Sequence, residues 1–312
     1  MNLSELLASL LFMDDEEIIS FATSSPYRYK VYSIAKRNSS DRRIIAHPSK
    51  ELKFIQRIII QQLSVKLPVH SAAKAYTKGL SIKDNARPHA NSKYLLKMDL
   101  KDFFPSIKPS LFFNECKKNG IKLSDLDMKI LEGFLFWKRR RSTSLVLSIG
   151  APSSPLVSNF ILFKFDESIS KHCENLGINY TRYADDLTFS TNEKDVLLSF
   201  PAYVRKILNT LYNGQLKVNL KKTLLSSKAH NRHVTGVTLT NDGNLSVGRN
   251  TKRRLSAAIH HFAQNKLSVE DILKLNGNLA HAIFIDPDFL KQIERKYGKE
   301  LILKLKHYTT DD

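Results

Sequence analysis

Cysteine is scarce in this 312-residue chain: only Cys116 and Cys173 occur, and neither has a second Cys or a His at metal-ligand spacing. A disulfide scaffold and a zinc finger are thereby set aside, and both thiols read as buried and reduced. Long apolar runs are missing too, since none approaches the roughly 18 residues that a spanning helix needs. The start of the chain lacks the basic opening of a signal peptide, because Glu5 comes early and Asp14-Asp15-Glu16-Glu17 follows the leucine-rich stretch. A cytoplasmic protein without membrane association is expected. No internal repeat, low-complexity tract or Pro/Gly/Ser-rich linker divides the chain, which argues against a solenoid or a string of tethered modules. Acidic residues are also in deficit: 30 Asp plus Glu stand against 49 Lys plus Arg, a net charge of +19. Such an excess points to a polyanionic partner, nucleic acid ahead of a membrane surface. With 42% hydrophobic residues, the chain can bury a sizeable core.

What is present centres on Tyr183-Ala184-Asp185-Asp186. Residues 178–182 and 187–190 on either side are β-branched and aromatic enough for strands, so the two carboxylates fall at a hairpin turn. Neighbouring side chains on a strand point to opposite faces, and can share a site only where the backbone turns sharply. An Asp pair held there is a hard-oxygen ligand set for Mg²⁺, although Asp-Asp is also ordinary turn chemistry. Upstream, Tyr94-Leu95-Leu96-Lys97-Met98 reads as a buried strand that delivers Asp99 at its end. Carboxylates from a strand end and a neighbouring hairpin could clamp two metal ions side by side, activating a 3′-hydroxyl and neutralising a leaving pyrophosphate.

The remaining signals are structural or electrostatic. Leu3, Leu6, Leu7, Leu10 and Leu11 have helical spacing, and a second helix is predicted to begin within Asp14 to Glu17. Alternation from Tyr27 to Tyr32 and the basic stretch Arg42-Arg43-Ile44-Ile45-Ala46-His47-Pro48 predict two strands. Ser49 is a candidate N-cap for a helix that continues to Leu67, and Ser124 for one that continues to Trp137. The run Lys138-Arg139-Arg140-Arg141 is a basic turn, and Asn241-Asp242-Gly243-Asn244 turns a hairpin. Residues 201–312 hold 19 Lys/Arg against 9 Asp/Glu. Arg249, Lys252, Arg253 and Arg254 crowd the start of a helix whose apolar side carries Leu255, Ile259 and Phe262. Cations there oppose the macrodipole, so a phosphate backbone would explain them better than helix stability does. His230, His233, His260 and His261 have no Cys or acid to complete a zinc set.

Taken in order, these stretches resemble the reverse transcriptases, whose palm carries an Asp at a strand end and the Tyr-x-Asp-Asp turn. The similarity spans roughly residues 27 to 300. It implies an α+β right-hand polymerase fold, with N-terminal helices and fingers over 1–93 and a palm with antiparallel sheet over 94–240, holding a fingers-associated insertion at 105–148. A basic, helical, duplex-binding thumb would occupy 241–312. Asp99, Asp185 and Asp186 would then be catalytic ligands for two Mg²⁺ ions, or Mn²⁺ in their place. Arg42 or Arg43 would grip the incoming triphosphate, and Phe104 would lie under the deoxyribose and leave no room for a 2′-hydroxyl, unless Phe103 and Phe104 are both core. Gly150, opening Gly150-Ala151-Pro152-Ser153-Ser154-Pro155, would admit the nucleotide closely, although Ile149 stands where most of the family has Gln. Lys222 would be the general acid for pyrophosphate, unless Lys221 and Lys222 are both solvated. Asn85-Ala86-Arg87-Pro88-His89 and Val234-Thr235-Gly236 resemble hallmarks of the retron enzymes. For Asn85 and His89 two readings stand, direct RNA contact or a capped surface helix. Val234, Thr235 and Gly236 would grip the primer end. With little chain after the thumb, no RNase H or maturase domain is expected.

Retron membership implies dNTP substrates and a cognate non-coding RNA that is both primer and template. Priming from a guanosine 2′-hydroxyl would give an RNA-linked DNA product, msDNA, in phage defence with an effector protein. Two other classes share parts of the pattern. A stand-alone or CRISPR-associated reverse transcriptase has no reason to combine both retron hallmarks, and a non-catalytic RNA-binding scaffold has no need of the three acids.

Overall fold

The computed structural model describes residues 3–35 and 42–308. Among them, no helix is long and apolar enough to cross a membrane. Local chemistry sets the first elements. The helix Leu3–Leu11 buries Leu3 and Leu7, and Asp14 caps Asp15–Ser24 through a capping box with Glu17. Alternation then gives an antiparallel ribbon, Tyr29–Ala35 against Arg42–Pro48, in which Tyr32 faces Ile45 and Ile34 faces Arg43. Ser49 caps Lys50–Leu63. The spacing that suggests a longer helix breaks at Leu63, where Lys66 N–H donates back to the Leu63 carbonyl, although Leu67 remains buried.

A four-stranded sheet has the order Asn179–Tyr183, Asp186–Thr191, Tyr94–Asp99, Leu224–Ser227. By contact density the chain divides into two interleaved units. The first comprises Met1–Lys78, Lys97–Leu187 and Leu198–Thr223. In its core, Gly133 of the helix Asp125–Leu135 lies against the backbone of Ala22, where any Cβ would collide with the Ala22 carbonyl. Buried Gln56 donates to the Phe134 carbonyl at 2.7 Å. The helix predicted to reach Trp137 ends at Leu135, because Phe136 turns extended and Trp137–Lys138 pairs with Leu145–Val146 as a short hairpin. Trp137 then packs with Ala46 and Val146. Cys116 and Cys173 are both buried, and burial pushes their thiols up to about 12, which leaves them inert.

The second unit comprises Gly79–Leu96, Thr188–Leu197 and Leu224–Asp312. It holds a three-stranded sheet in the order Leu245–Ser246, Val237–Leu239, Arg232–Val234. Ala86, Ala90, Leu95, Val234, Val237 and Ile285 share one apolar cluster with this sheet. Four further helices, Arg249–Ala263, Val269–Ile285, Asp288–Tyr297 and Lys299–Lys306, close around Ile259, Phe262, Leu279, Ile293 and Ile302. Thr235-Gly236, expected to grip the primer end, lies at a turn and not within a strand. With φ of +47° and +84°, it is the tight turn that joins Val234 to Val237, a conformation that suits glycine at the second position.

Candidate active site

All of the following side chains belong to the first unit. The strand Tyr94–Asp99 ends on Asp99, which is 6% exposed. Beside it, Asn179–Tyr183 and Asp186–Thr191 are joined through Ala184 and Asp185, and Ala184 takes the left-handed conformation at φ +57°. This sharp turn brings the neighbouring carboxylates of Asp185 and Asp186 to one end of the sheet. The turn is tied to the Asp99 strand by the backbone, Leu100 N–H donating to the Asp185 carbonyl at 2.9 Å. Asp99 is held on both oxygens: Asn219 donates from Nδ2 to Oδ1 at 3.2 Å, and Lys222 Nζ lies 2.7 Å from Oδ2.

The three acids feel one another. Burial raises the Asp185 carboxyl above the ordinary carboxylate range, and the charge of Asp99 adds to this against the opposing pull of Lys222 and Arg43. Asp186 reaches solvent with part of its surface, yet the protein packed around it, then Asp185 and Asp99, push it up to about 6. For Lys222, burial works against the ammonium, but the hydrogen bond and charge of Asp99, with Asp185 and Asp186 behind it, outweigh that and hold its pKa above the usual lysine value. Carboxylates raised by burial and then by mutual repulsion, as Asp185 and Asp186 are, supply the oxygen donors and the negative field that suit a hard divalent cation. In chemistry the donor set fits such an ion. In geometry it is not drawn together: among the described residues no three His, Cys, Asp or Glu side chains converge on a common metal position, and Asp99 is engaged by Lys222 instead.

The ribbon separates the two candidate arginines. Successive strand residues face opposite ways, and the register puts Arg42 opposite Ala35 and Arg43 opposite Ile34. Arg42 is spent on its own ribbon, donating to Ser33 Oγ at 2.8 Å and to the Ser33 carbonyl at 3.0 Å. Arg43 is the one whose charge reaches Asp185. Phe103 is core, whereas Phe104 is half-buried, with its ring 5.2 Å from Phe103 and 6.4 Å from Tyr76. Gly150, at φ +127°, has an intramolecular reason to be glycine. A Cβ there would press on the Ala46 carbonyl and the His47 ring. Ile149 joins the same junction through its carbonyl, which accepts from Ala46 N–H at 3.0 Å.

The other candidates lie in the second unit, and several face inward. The helix is capped as expected, Ile82–Ala86 opening on a capping box between Ser81 and Asp84, but the side chains of Asn85 and His89 are fully buried: Asn85 Nδ2 donates to Thr235 Oγ1 at 3.3 Å, and His89 Nδ1 lies 2.7 Å from Ser190 Oγ. Val234 is buried as well, Thr235 half-buried, and Gly236 exposed. At the helix Arg249–Ala263, Arg249, Arg253 and Arg254 are exposed, but Lys252 is paired with Asp286 at 2.7 Å and lies over the Phe289 ring. In the folded chain, then, Asn85, His89 and Lys252 do not present free polar groups at a surface.

Sequence reasoning missed a buried group beneath the turn. Arg182, with no exposure, donates to both oxygens of Asp166, to Asn159 Oδ1 at 3.0 Å and to the Ala184 carbonyl at 3.1 Å. Asp166 also accepts from Tyr180 OH at 2.7 Å, and Asn159 Nδ2 donates to the Ala75 carbonyl at 3.0 Å. The one signal available was an acid, Asp166, directly after the stretch 160–165, which begins with Phe160, ends with Phe165 and is apolar but for Lys164.

With this geometry in hand, comparison with known proteins is informative. Residues 34–239 match the family model described as reverse transcriptase (RNA-dependent DNA polymerase). The chain is 46% identical over 283 residues to the Retron Ec83 reverse transcriptase of Escherichia coli, covering 90% of each. It is 35% identical over 290 residues to the Retron Ec73 reverse transcriptase of the same organism, covering 89% of each. A solved telomerase from Candida albicans, in complex with a TWJ fragment of telomeric RNA, is similar with a TM-score of 0.48 and 13% identity over 90% of this chain and 57% of that one, too low to weigh further.

Proposed function

Because the chain belongs to the reverse transcriptases of retron type, RNA-directed DNA polymerases with the α+β right-hand fold, we propose that it copies one cognate structured non-coding RNA into DNA. In this reading the same RNA primes synthesis from a guanosine 2′-hydroxyl, giving RNA-linked single-stranded DNA. The reaction takes place in the cytoplasm and serves phage defence together with an effector protein. The proposed division is fingers over 1–93, palm over 94–240 and thumb over 241–312.

The observation that carries the catalytic reading is the placement of the three acids at one sheet end, where Asp185 and Asp186 are both raised by burial and by Asp99. Reverse transcriptases use divalent metal ions. Asp99, Asp185 and Asp186 would hold two, Mg²⁺ or Mn²⁺, which when bound supply activation of the primer hydroxyl and neutralisation of the leaving pyrophosphate. Asn219 orients Asp99 through Oδ1. Lys222 stays protonated at neutral pH beside Asp99, and so carries a proton it could give to pyrophosphate as a general acid. Arg43, not Arg42, would grip the triphosphate, since its charge reaches Asp185 whereas Arg42 is engaged by Ser33. Phe104 would lie under the deoxyribose, and Gly150 would help shape the nucleotide pocket through its contact with the Arg42–Pro48 strand. Of the thumb cations, Arg249, Arg253 and Arg254 are the proposed phosphate contacts. Asn85, His89, Val234 and Thr235 would support RNA binding by shaping the unit that presents Gly236.

The test is purification of the full chain expressed with its neighbouring non-coding sequence. Wild-type protein should carry a structured RNA covalently joined to DNA. Asp185→Asn should carry the RNA alone, with dNTP incorporation down about 10³-fold or more. Near wild-type synthesis by Asp185→Asn would overturn the catalytic assignment, and DNA free of any RNA linkage would overturn the priming reading.

A further inference from the structure

Tyr76 is out of place by ordinary rules. Its backbone is left-handed, at φ +62°, a conformation that suits Gly or Asn and is uncommon for a bulky aromatic residue. Core burial does not compensate, for the residue is 55% exposed. What holds the residue there lies beside it. Ala72 and Lys74 exchange backbone hydrogen bonds with Arg182, both at 2.8 Å, and the Ala75 carbonyl accepts from Asn159. Arg182 in turn donates to Asn159 and to the Ala184 carbonyl, one residue before Asp185. One buried network therefore sets both the acidic turn and the segment that carries Tyr76.

The ring so placed lies against Phe104, with centroids 6.4 Å apart and planes at 49°, within the range of attractive aromatic pairs. Phe103, itself core, is the other ring neighbour of Phe104. The charge of Asp185 also reaches the Tyr76 phenol.

We propose that Tyr76 is a second specificity-determining residue for the incoming nucleoside triphosphate: its ring backs Phe104 and closes the side of the pocket that receives the sugar. The inference rests on the reading of Phe104 as the residue that excludes a 2′-hydroxyl. An unsupported Phe104 ring could swing aside to admit a ribonucleotide, and the pocket would also hold a deoxynucleotide less well. The ring does this work and the hydroxyl does not, so the effect should follow the aromatic group alone.

Single-nucleotide extension on an RNA template, with dNTP and rNTP in parallel, tests this in the full chain. Phe104→Val should raise the rNTP to dNTP ratio about tenfold or more. Tyr76→Ala should raise it about fivefold, with the KM for dNTP up about three- to tenfold and kcat within about twofold. Tyr76→Phe should behave as wild type. Tyr76→Gly should match Tyr76→Ala in selectivity while its thermal midpoint equals or exceeds that of wild type, because glycine relieves the backbone; this separates loss of the ring from loss of the fold. The double variant Tyr76→Ala/Phe104→Val should be no less selective than Phe104→Val alone, since the buttress has nothing left to hold. If Tyr76→Ala and Tyr76→Gly keep the wild-type ratio and KM while Phe104→Val does not, the inference on Tyr76 is overturned and the reading of Phe104 stands. An unchanged ratio in Phe104→Val overturns the reading of Phe104, and the inference with it.

Discussion

Arg182 and His89 are both fully buried polar side chains, each held by partners distant in sequence. The Arg182–Asp166 pair, at 2.6 Å with neither side chain exposed, is a contact whose one-sided removal leaves a stranded charge, at a cost of about 3–5 kcal/mol. His89 makes the opposite electrostatic choice and stays neutral. Burial pushes its pKa down to about 3, against the ordinary 6.5 of an unfolded chain. Between those values the unfolded state binds a proton that the folded state refuses, so stability is complete above about pH 6.5 and is lost progressively as pH falls toward 3. From pH 7 to pH 5 this one residue should remove about 2 kcal/mol. His89→Gln cannot titrate, so its thermal midpoint should fall less steeply over that interval than that of wild type. Parallel slopes would show that His89 is protonated inside the folded protein.

At the scale of elements, the helix Arg249–Ala263 opens on four cations, with Gly248 before it and no side-chain cap. Charge alone suggests that all four could go without harm to the free protein. Lys252 breaks that equivalence, because its pair with Asp286 and its place over Phe289 join the start of this helix to the end of Val269–Ile285 and to the helix after it. Lys252→Ala should therefore destabilise by roughly 1–2 kcal/mol, visible as a lower thermal midpoint. The triple variant Arg249→Ala/Arg253→Ala/Arg254→Ala should hold or gain stability, since it removes charges that oppose the dipole. If all three reach phosphates, its slope of log affinity for the copurified RNA against log salt should fall by roughly 2–3. An unaltered slope would make them a solvated helix end. The ribbon teaches a related lesson: Arg42 and Arg43 are equal in composition, and strand parity alone sends one to Ser33 and the other toward Asp185.

For the molecule as a whole, a net charge of +19 acts in opposite directions on folding and on binding. Like charges repel in the compact state, so raising salt from about 50 to about 300 mM should raise the thermal midpoint of the nucleic-acid-free protein. Over the same range affinity for RNA should fall steeply, because each released counterion gains less entropy as the bulk salt rises. A midpoint indifferent to salt would mean that the cations are already balanced by local pairs such as Lys252–Asp286. The charge balance that sets this behaviour is a property of composition, readable before any fold. So are the features decided by neighbours along the chain: the two-residue turn at Ala184 and Asp185, the strand that ends on Asp99, and the caps at Asp14, Ser49 and Ser124. Each depends on dihedral preference, alternation or a side chain reaching three residues ahead, and such rules operate locally. Tertiary structure alone decided which side chains meet across long separations. Lys222 finds Asp99 over 123 residues, and His89 finds Ser190 over 101, a burial that no helical period announces for a stretch holding Arg87 and Pro88. By sequence Arg182 is one residue of a strand flank, and only the packing of helices Ser154–Ile161 and Phe163–Asn175 gives its guanidinium three of its four acceptors, the fourth being the Ala184 carbonyl of the acidic turn. The physical reason is that a buried polar group takes its meaning from its partners, and sequence spacing does not encode which partners the fold will bring.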